Sequence, residues 1–280
     1  MRRRLGVLGA AALAGALAVA GCSDAPSDRA DAGNTTPTTG PTATTIPPAT
    51  PEEPLSVVIA GDSVMDNLSE AVVPALDFGG EAVVSHTWLL GLTRDAASKL
   101  AMDRTVAETH ADVIIVLLGV WELDPLEGEI GTPGWQQRYD EQVLDPFVDR
   151  VTVDGAHVLW LGMPATDDYL VTADLDLLNQ AYADLDERDP RVTYFDLGEE
   201  LDGPGGTFAE FVPNPDPTTL VRLRQTDGLH FCPNGTVLAA TRVLDWISER
   251  WSVDVAPGWQ TGSWRAVQGT EDGEDRCPGD

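Results

Sequence analysis

Short apolar runs alternate with longer segments of helical period through the middle of this chain. The runs at Leu55–Ala60, Glu81–Ser85, Asp112–Leu118, Ala156–Gly162 and Val192–Leu197 are rich in Val, Ile or Leu and predict strands. The third and fourth are apolar almost throughout, as strands buried on both faces must be. Between and after them, apolar positions recur at helical spacing over Asp66–Leu76, Thr93–Thr109, Trp135–Val153, Ala173–Arg188 and Pro233–Trp251. Pro233 suits the first turn of the last helix, where a missing N–H costs nothing. This alternation predicts an α/β fold: a three-layer α/β/α sandwich around a mostly parallel, five-stranded sheet. Ligands of such sheets sit beyond the carboxyl ends of the strands. Two long Gly- and Pro-containing loops, Glu122–Gly134 and Gly198–Arg224, are expected to wall a site there.

The ends of the chain follow other rules. Arg2-Arg3-Arg4 followed by the apolar stretch Leu5–Ala20 reads as an export signal, too short and too rich in Ala and Gly for a stable membrane span. Val19-Ala20-Gly21-Cys22 resembles a lipoprotein processing site. That resemblance implies residues 1–22 as a lipoprotein signal peptide and Cys22 as the lipid-modified first residue of the mature chain. Residues 23–54 are rich in Thr, Pro, Ala and Gly and predict a disordered tether, able to span roughly 30 Å as a coil. Residues 55–251 then form the folded domain and 252–280 a C-terminal tail. The location implied is the outer face of the cell membrane, with the membrane as a partner through the lipid.

Charge narrows the partners. The chain carries 46 acidic against 17 basic residues, a formal net charge of −29, and Lys99 is its sole lysine. Such a surface disfavours nucleic acid. Cys232 and Cys277 are the cysteines left once Cys22 is assigned, and in an exported protein they predict a disulfide. It would pin the tail near His230.

Two separated segments carry the chemistry. Gly61-Asp62-Ser63 follows the first apolar run, and Asp227-Gly228-Leu229-His230 precedes the last helix. They supply a serine on a strand-leaving turn and an acid and imidazole three residues apart, the parts of a Ser-His-Asp hydrolase. These blocks resemble the GDSL/SGNH hydrolases, over roughly residues 55–251, with Val64 where the family name has Leu. The resemblance implies Ser63 as nucleophile, His230 as base and Asp227 as its orienting acid, on a fold of SGNH (flavodoxin-like) type. It also implies an oxyanion hole from the backbone N–H groups of Ser63 and Gly91, with Trp121 of the Gly119-Val120-Trp121-Glu122 block either giving its indole N–H as a third donor or serving as a pocket wall. Trp121 stands where that family has asparagine, similar to a variant found in SGNH domains associated with polysaccharide acyltransferases. The function implied is an anchored extracytoplasmic serine esterase or O-acyl (acetyl) transferase acting on glycan or envelope acyl esters. A membrane acyltransferase is then a candidate partner. The alternative is a non-catalytic envelope-binding lipoprotein that keeps the fold.

The remaining polar residues divide by how they would meet a ligand. Glu122 is expected to bind a sugar hydroxyl or to hold Trp121, and Arg224 to meet a substrate carboxylate or phosphate, with Arg138 and Arg222 as weaker candidates. Glu122 with Asp124 also has the form of a glycosidase acid pair, although acidic residues are too dense here for one spacing to carry that. His86, His110 and His157 read as incidental. No spacing of His, Cys, Asp or Glu suggests a metal site, and no cofactor is expected.

Overall fold

The computed structural model describes residues 48–93, 96–123, 126, 128–213, 220–268, 270–271 and 274–279. The expected signal peptide, Cys22, most of the tether and Asp124 lie outside the described residues. The five expected strands are present as β1 (Leu55–Gly61), β2 (Ala82–Trp88), β3 (Val113–Leu117), β4 (His157–Gly162) and β5 (Val192–Asp196). They form one sheet in the order β2-β1-β3-β4-β5, every pairing parallel. Their alternation divides the interior in two. Val57, Ile59, Val113, Ile115, Leu117, Leu159 and Leu161 face one core, whereas Val58, Ala60, Ile114, Val116, Val158 and Trp160 face the other. Both faces are covered, which is why these runs read as continuously apolar.

Helices α1 (Ser63–Leu76) and α2 (Ala96–Thr109) flank β2 in sequence, and α3 (Val120–Leu123) is a single turn leaving β3. The helix expected over Trp135–Val153 is broken. It runs as α4 (Trp135–Tyr139), a π-helical turn over Asp140–Leu144, and α5 (Asp145–Val151). Pro146 explains the break, because it has no N–H to give and its ring would strike the carbonyl four residues back. Helix α6 (Tyr169–Arg188) begins earlier than expected because Asp168 caps it, accepting the N–H groups of Leu170 and Val171. After the short α7 (Gly198–Leu201) comes the hairpin of β6 (Phe211–Pro213) and β7 (Leu220–Arg222), so much of the second long loop has structure of its own. Helix α8 (Pro233–Trp251) matches its expected bounds and packs against α1 in the first core. Among the described residues, no helix is long and apolar enough to cross a membrane.

Both ends of the described chain join this body. Ala49, expected within the tether, donates its N–H to the Trp251 carbonyl at 2.9 Å and packs against the first core. In the tail, Trp259 and Trp264 are buried in that core, and Ala256 N–H bonds the Ala75 carbonyl at 2.9 Å. The tail also forms a small hairpin of β8 (Thr270–Glu271) and β9 (Glu274–Asp275). Just beyond it, Cys277 is disulfide-bonded to Cys232, with Cα atoms 5.7 Å apart.

Candidate active site

The sheet order turns back between β1 and β3, and a cleft opens beyond the carboxyl ends of strands where the order reverses. Ser63 leaves β1 at that point. Its position is built from both sides. Gly61 passes against β3 so closely that a Cβ would run into the Leu117 carbonyl and the Met65 side chain. Asp62 then caps α1 by accepting the Val64 N–H at 3.0 Å, worth about 1 kcal/mol in such a position. The other Asp62 oxygen accepts the Gly119 N–H at 3.1 Å and so joins the β1 and β3 turns. Burial raises the pKa of Asp62 against the lowering effect of these hydrogen bonds. Helix α1 therefore starts at Ser63 rather than Asp66, with the serine in its first turn.

The partner loop comes from 167 residues along the chain. Ser63 Oγ lies 2.7 Å from His230 Nε2, and His230 Nδ1 lies 2.6 Å from Asp227 Oδ2. The second Asp227 oxygen accepts the N–H groups of Leu229 and His230 at 2.9 and 3.0 Å. Partial burial alone would raise the Asp227 pKa. The hydrogen bonds from the His230 ring and from these two N–H groups win, and hold the carboxyl well below the usual carboxylate range. An ionised acid on Nδ1 fixes the tautomer with the proton there and leaves Nε2 to accept from Ser63. Gly228, at φ +70°, makes the turn, and a Cβ there would run into Asp167.

Four supports hold this loop. Arg224 and Phe231 pair as an isolated β-bridge across it, and the Gln225 N–H bonds the His230 carbonyl at 2.9 Å. Asn67 on α1 accepts the Phe231 N–H at 3.2 Å. The disulfide at Cys232 lies two residues past His230. The tail adds Gln268, whose side-chain amide donates to the Asn67 carbonyl at 3.0 Å and to Thr236 Oγ1 at 2.7 Å, and the Arg276 carbonyl, which accepts the Thr226 N–H at 3.0 Å.

Arg224 is not placed to meet a substrate. It is completely buried, donating to the Leu229 carbonyl at 3.0 Å and the Ala165 carbonyl at 3.2 Å, and stacked over the Phe231 ring at 4.9 Å. Its nearest acid is Asp202 at 3.7 Å. Burial lowers the Arg224 pKa to about 10 and raises that of Asp202 to about 6, so desolvation outweighs their attraction. Such a pair is weak evidence for stability. Its visible effect is to hold carbonyls on either side of the loop. Glu122 likewise does not reach a ligand. It is buried, accepting the Leu92 N–H at 2.5 Å and the Tyr139 hydroxyl at 2.7 Å. Arg138 and Arg222 bond their own surroundings, the Pro133 carbonyl at 3.2 Å and Glu210 at 2.5 Å respectively.

Gly91 and Trp121 stand on neighbouring loops. A Cβ placed on Gly91 would lie 3.4 Å from the Trp121 carbonyl. Trp121 is 42% exposed and Trp88, paired in register with Gly61, is 48% exposed. His157, against Thr193 at 2.9 Å, has its pKa lowered by burial to about 4. Among the described residues no group of His, Cys, Asp and Glu is arranged to hold a metal ion. Tyr139, Asn67 and Gln268 were not legible as site residues. Each acts by meeting a segment far away in sequence, and no local spacing marks it.

Residues 56–246 match the family described as "Protein of unknown function (DUF459)". No curated protein matches the chain. Among solved structures it is similar to TesA, at 17% identity over 69% of this chain and 98% of that one, with a TM-score of 0.46. It is similar to a GDSL-like lipase from Bacteroides thetaiotaomicron, at 10% identity over 69% and 88%, with a TM-score of 0.49. A catalytic mutant of an acetylxylan esterase from Geobacillus stearothermophilus is similar at 13% identity over 74% and 98%, with a TM-score of 0.47.

Proposed function

Since the chain belongs to the DUF459 family, whose description leaves function open, we propose from the site itself that it is a serine ester hydrolase of GDSL/SGNH type. One observation carries this reading: the continuous hydrogen-bonded line from Ser63 Oγ through His230 to Asp227. A serine that only caps a helix has no use for an imidazole whose far nitrogen is held by an ionised acid.

Attack begins with the Ser63 hydroxyl giving its proton to His230 Nε2 as Oγ bonds the acyl carbon. The carbonyl oxygen takes up the negative charge. We assign its donors to the backbone N–H groups of Ser63 and Gly91. Ser63 lies in the first turn of α1, where backbone N–H groups have no acceptor within the helix and the dipole favours negative charge. Asp62 engages the Gly119 N–H, so that group serves the turn and not the oxyanion. His230 then protonates the leaving oxygen, and the acyl group stays on Ser63. Water in the second step gives an esterase and a sugar hydroxyl gives a transferase, because both share this acyl-enzyme. The half-exposed indoles of Trp88 and Trp121 favour a carbohydrate ester, since flat apolar rings suit the face of a sugar.

The anchored, extracytoplasmic setting is part of the proposal and rests on sequence. Arg2–Arg4, the apolar stretch and Cys22 support it, and two acyl chains on a diacylglyceryl cysteine suffice for stable anchoring. The activity is tested by assaying the protein on aryl acetates and on a panel of acetylated envelope glycans. Hydrolysis that disappears in folded Ser63→Ala is the expected result. A folded wild-type chain inert on every ester would favour the non-catalytic binding role.

A further inference from the structure

The Gly91 loop after β2 and the Gly119–Leu123 segment after β3 leave strands on opposite sides of β1. One side chain joins them. Glu122 Oε2 accepts the Leu92 N–H at 2.5 Å, while Oε1 accepts the Tyr139 hydroxyl at 2.7 Å. Behind Tyr139 stands the Tyr182 hydroxyl at 3.5 Å. Both tyrosines are buried, as is the acid. The backbone of Gly91 passes directly over the carboxylate. A Cβ there would lie 2.6 Å from Oε2, and φ is +130°, so glycine is required twice over.

The two groups bonded to this carboxylate, the Leu92 N–H and the Tyr139 hydroxyl, are both donors, the arrangement an ionised acid wants. Burying it is nonetheless unfavourable, and desolvation raises its pKa to about 7 in spite of those donors. An apolar side chain would fill the same space without that penalty. What an apolar side chain could not do is hold the Leu92 N–H. That N–H belongs to the Gly91–Leu92 peptide plane, so holding it restricts ψ of Gly91, which together with the φ of +130° sets the direction of the neighbouring Gly91 N–H.

We infer that Glu122 is a positioning residue which aims the Gly91 N–H at the oxyanion, with Tyr139 and Tyr182 fixing the carboxylate from beneath. The inference rests on the ester-hydrolase reading above. It moves Glu122 from an expected sugar contact to the frame of the oxyanion hole, one residue from Trp121.

The test compares wild type, Glu122→Gln and Tyr139→Phe. Each is measured for kcat and KM on an aryl acetate and for the rate at which a fluorophosphonate modifies Ser63, whose adduct places an oxygen where the oxyanion forms. Glu122→Gln keeps the shape but loses the charge and one acceptor, and should lower kcat by about 10- to 100-fold with KM nearly unchanged. Phosphonylation should slow by the same factor. Tyr139→Phe keeps its ring stacked on Trp135 and loses only the hydroxyl, so a smaller fall of about 3- to 10-fold is expected in the same two readouts. It also serves should the Gln variant fail to fold. Wild-type kcat and labelling rate in folded Tyr139→Phe and Glu122→Gln would overturn the positioning role. A wild-type chain that neither turns over esters nor labels would instead overturn the ester-hydrolase reading on which it rests.

Discussion

The two halves of the site are built in opposite ways. On the acid–base side, Asp227 and His230 lie three residues apart in one loop, and Asp227 takes the N–H groups of its own turn. On the side proposed for the oxyanion, Gly91, Leu92, Glu122 and Tyr139 come from three separate segments and meet through a single buried carboxylate. A loop that orders itself leaves a compact trace in sequence. A frame assembled from distant segments leaves almost none, and its residues show what they do only when the chain is folded. The acid–base loop is also fastened from outside, by the disulfide and by Gln268, whereas the oxyanion frame is fastened from within.

The comparison breaks most sharply at the reacting atoms. Ser63→Ala and His230→Ala should each lower kcat on aryl acetates by about 1,000-fold or more, leaving the residual rate that binding and the oxyanion donors supply. Far-ultraviolet circular dichroism should be unchanged, since neither side chain fills the core. Asp227→Asn should fall short of these, as it keeps the turn but weakens the hold on the imidazole. Losses of equal size in Glu122→Gln would erase the distinction between acting and positioning groups drawn here.

Removing the disulfide should separate stability from chemistry. The bridge closes a loop of 45 residues, and the chain-entropy relation gives about 4 kcal/mol for a closure of that length, less any strain. Urea unfolding of a Cys232→Ser, Cys277→Ser variant should show a loss of that order. Its kcat should fall only several-fold, because Asn67 and Arg224 still hold the loop. A stability within about 0.5 kcal/mol of wild type, the scale of a neutral surface change, would contradict the fastening role.

The pH dependence of stability sharpens the contrast further. Desolvation raises Glu122 and Glu70 to about 7 from an ordinary 4.5, and Asp202 to about 6 from 3.8. A raised pKa means the folded state binds its proton more tightly. Stability from these three is therefore complete below their ordinary values and is lost as pH rises towards 7. Asp227 has the opposite sign: its contribution is present above 3.8 and lost as pH falls below it. The Tm should peak at about pH 4, where these opposite contributions cross between the ordinary 3.8 and 4.5, and decline towards pH 8. A chain of net charge −29 repels itself less at that acidic end, which adds to the same trend. Glu122→Gln should flatten the decline; a Tm that climbs from pH 5 to pH 8 would contradict the assignment.

The smallest effect expected is at Trp121. Trp121→Phe keeps a ring for the sugar and deletes the indole N–H. With Ser63 and Gly91 carrying the oxyanion, kcat on an aryl acetate should stay within about 3-fold of wild type. A fall of about 100-fold would instead place the indole among the oxyanion donors.

How much of this was legible in sequence follows the same division. The five strands and α8 were readable because apolar runs buried on two faces and a Pro-initiated amphipathic helix are local patterns. Helix α1 starts three residues before the expected Asp66 because Asp62 both makes the turn leaving β1 and caps the helix. The break before α5 has its cause in Pro146, which the apolar period on either side of it masks in sequence. Arg224 and Glu122 were expected to face a ligand because charged residues usually face solvent. The fold buries both, each among partners far away in sequence: Ala165 and Asp202 for one, Leu92 and Tyr139 for the other. No spacing along the chain could have announced those meetings.

Whether Ser63 is a nucleophile activated by His230 can be read most directly by exposing the full chain to a fluorophosphonate, digesting it and locating the adduct by mass spectrometry. One adduct is expected, on the peptide carrying Ser63, and none at that position in folded His230→Ala over the same interval. A folded wild-type chain with no adduct, or with one on another serine, would contradict that role.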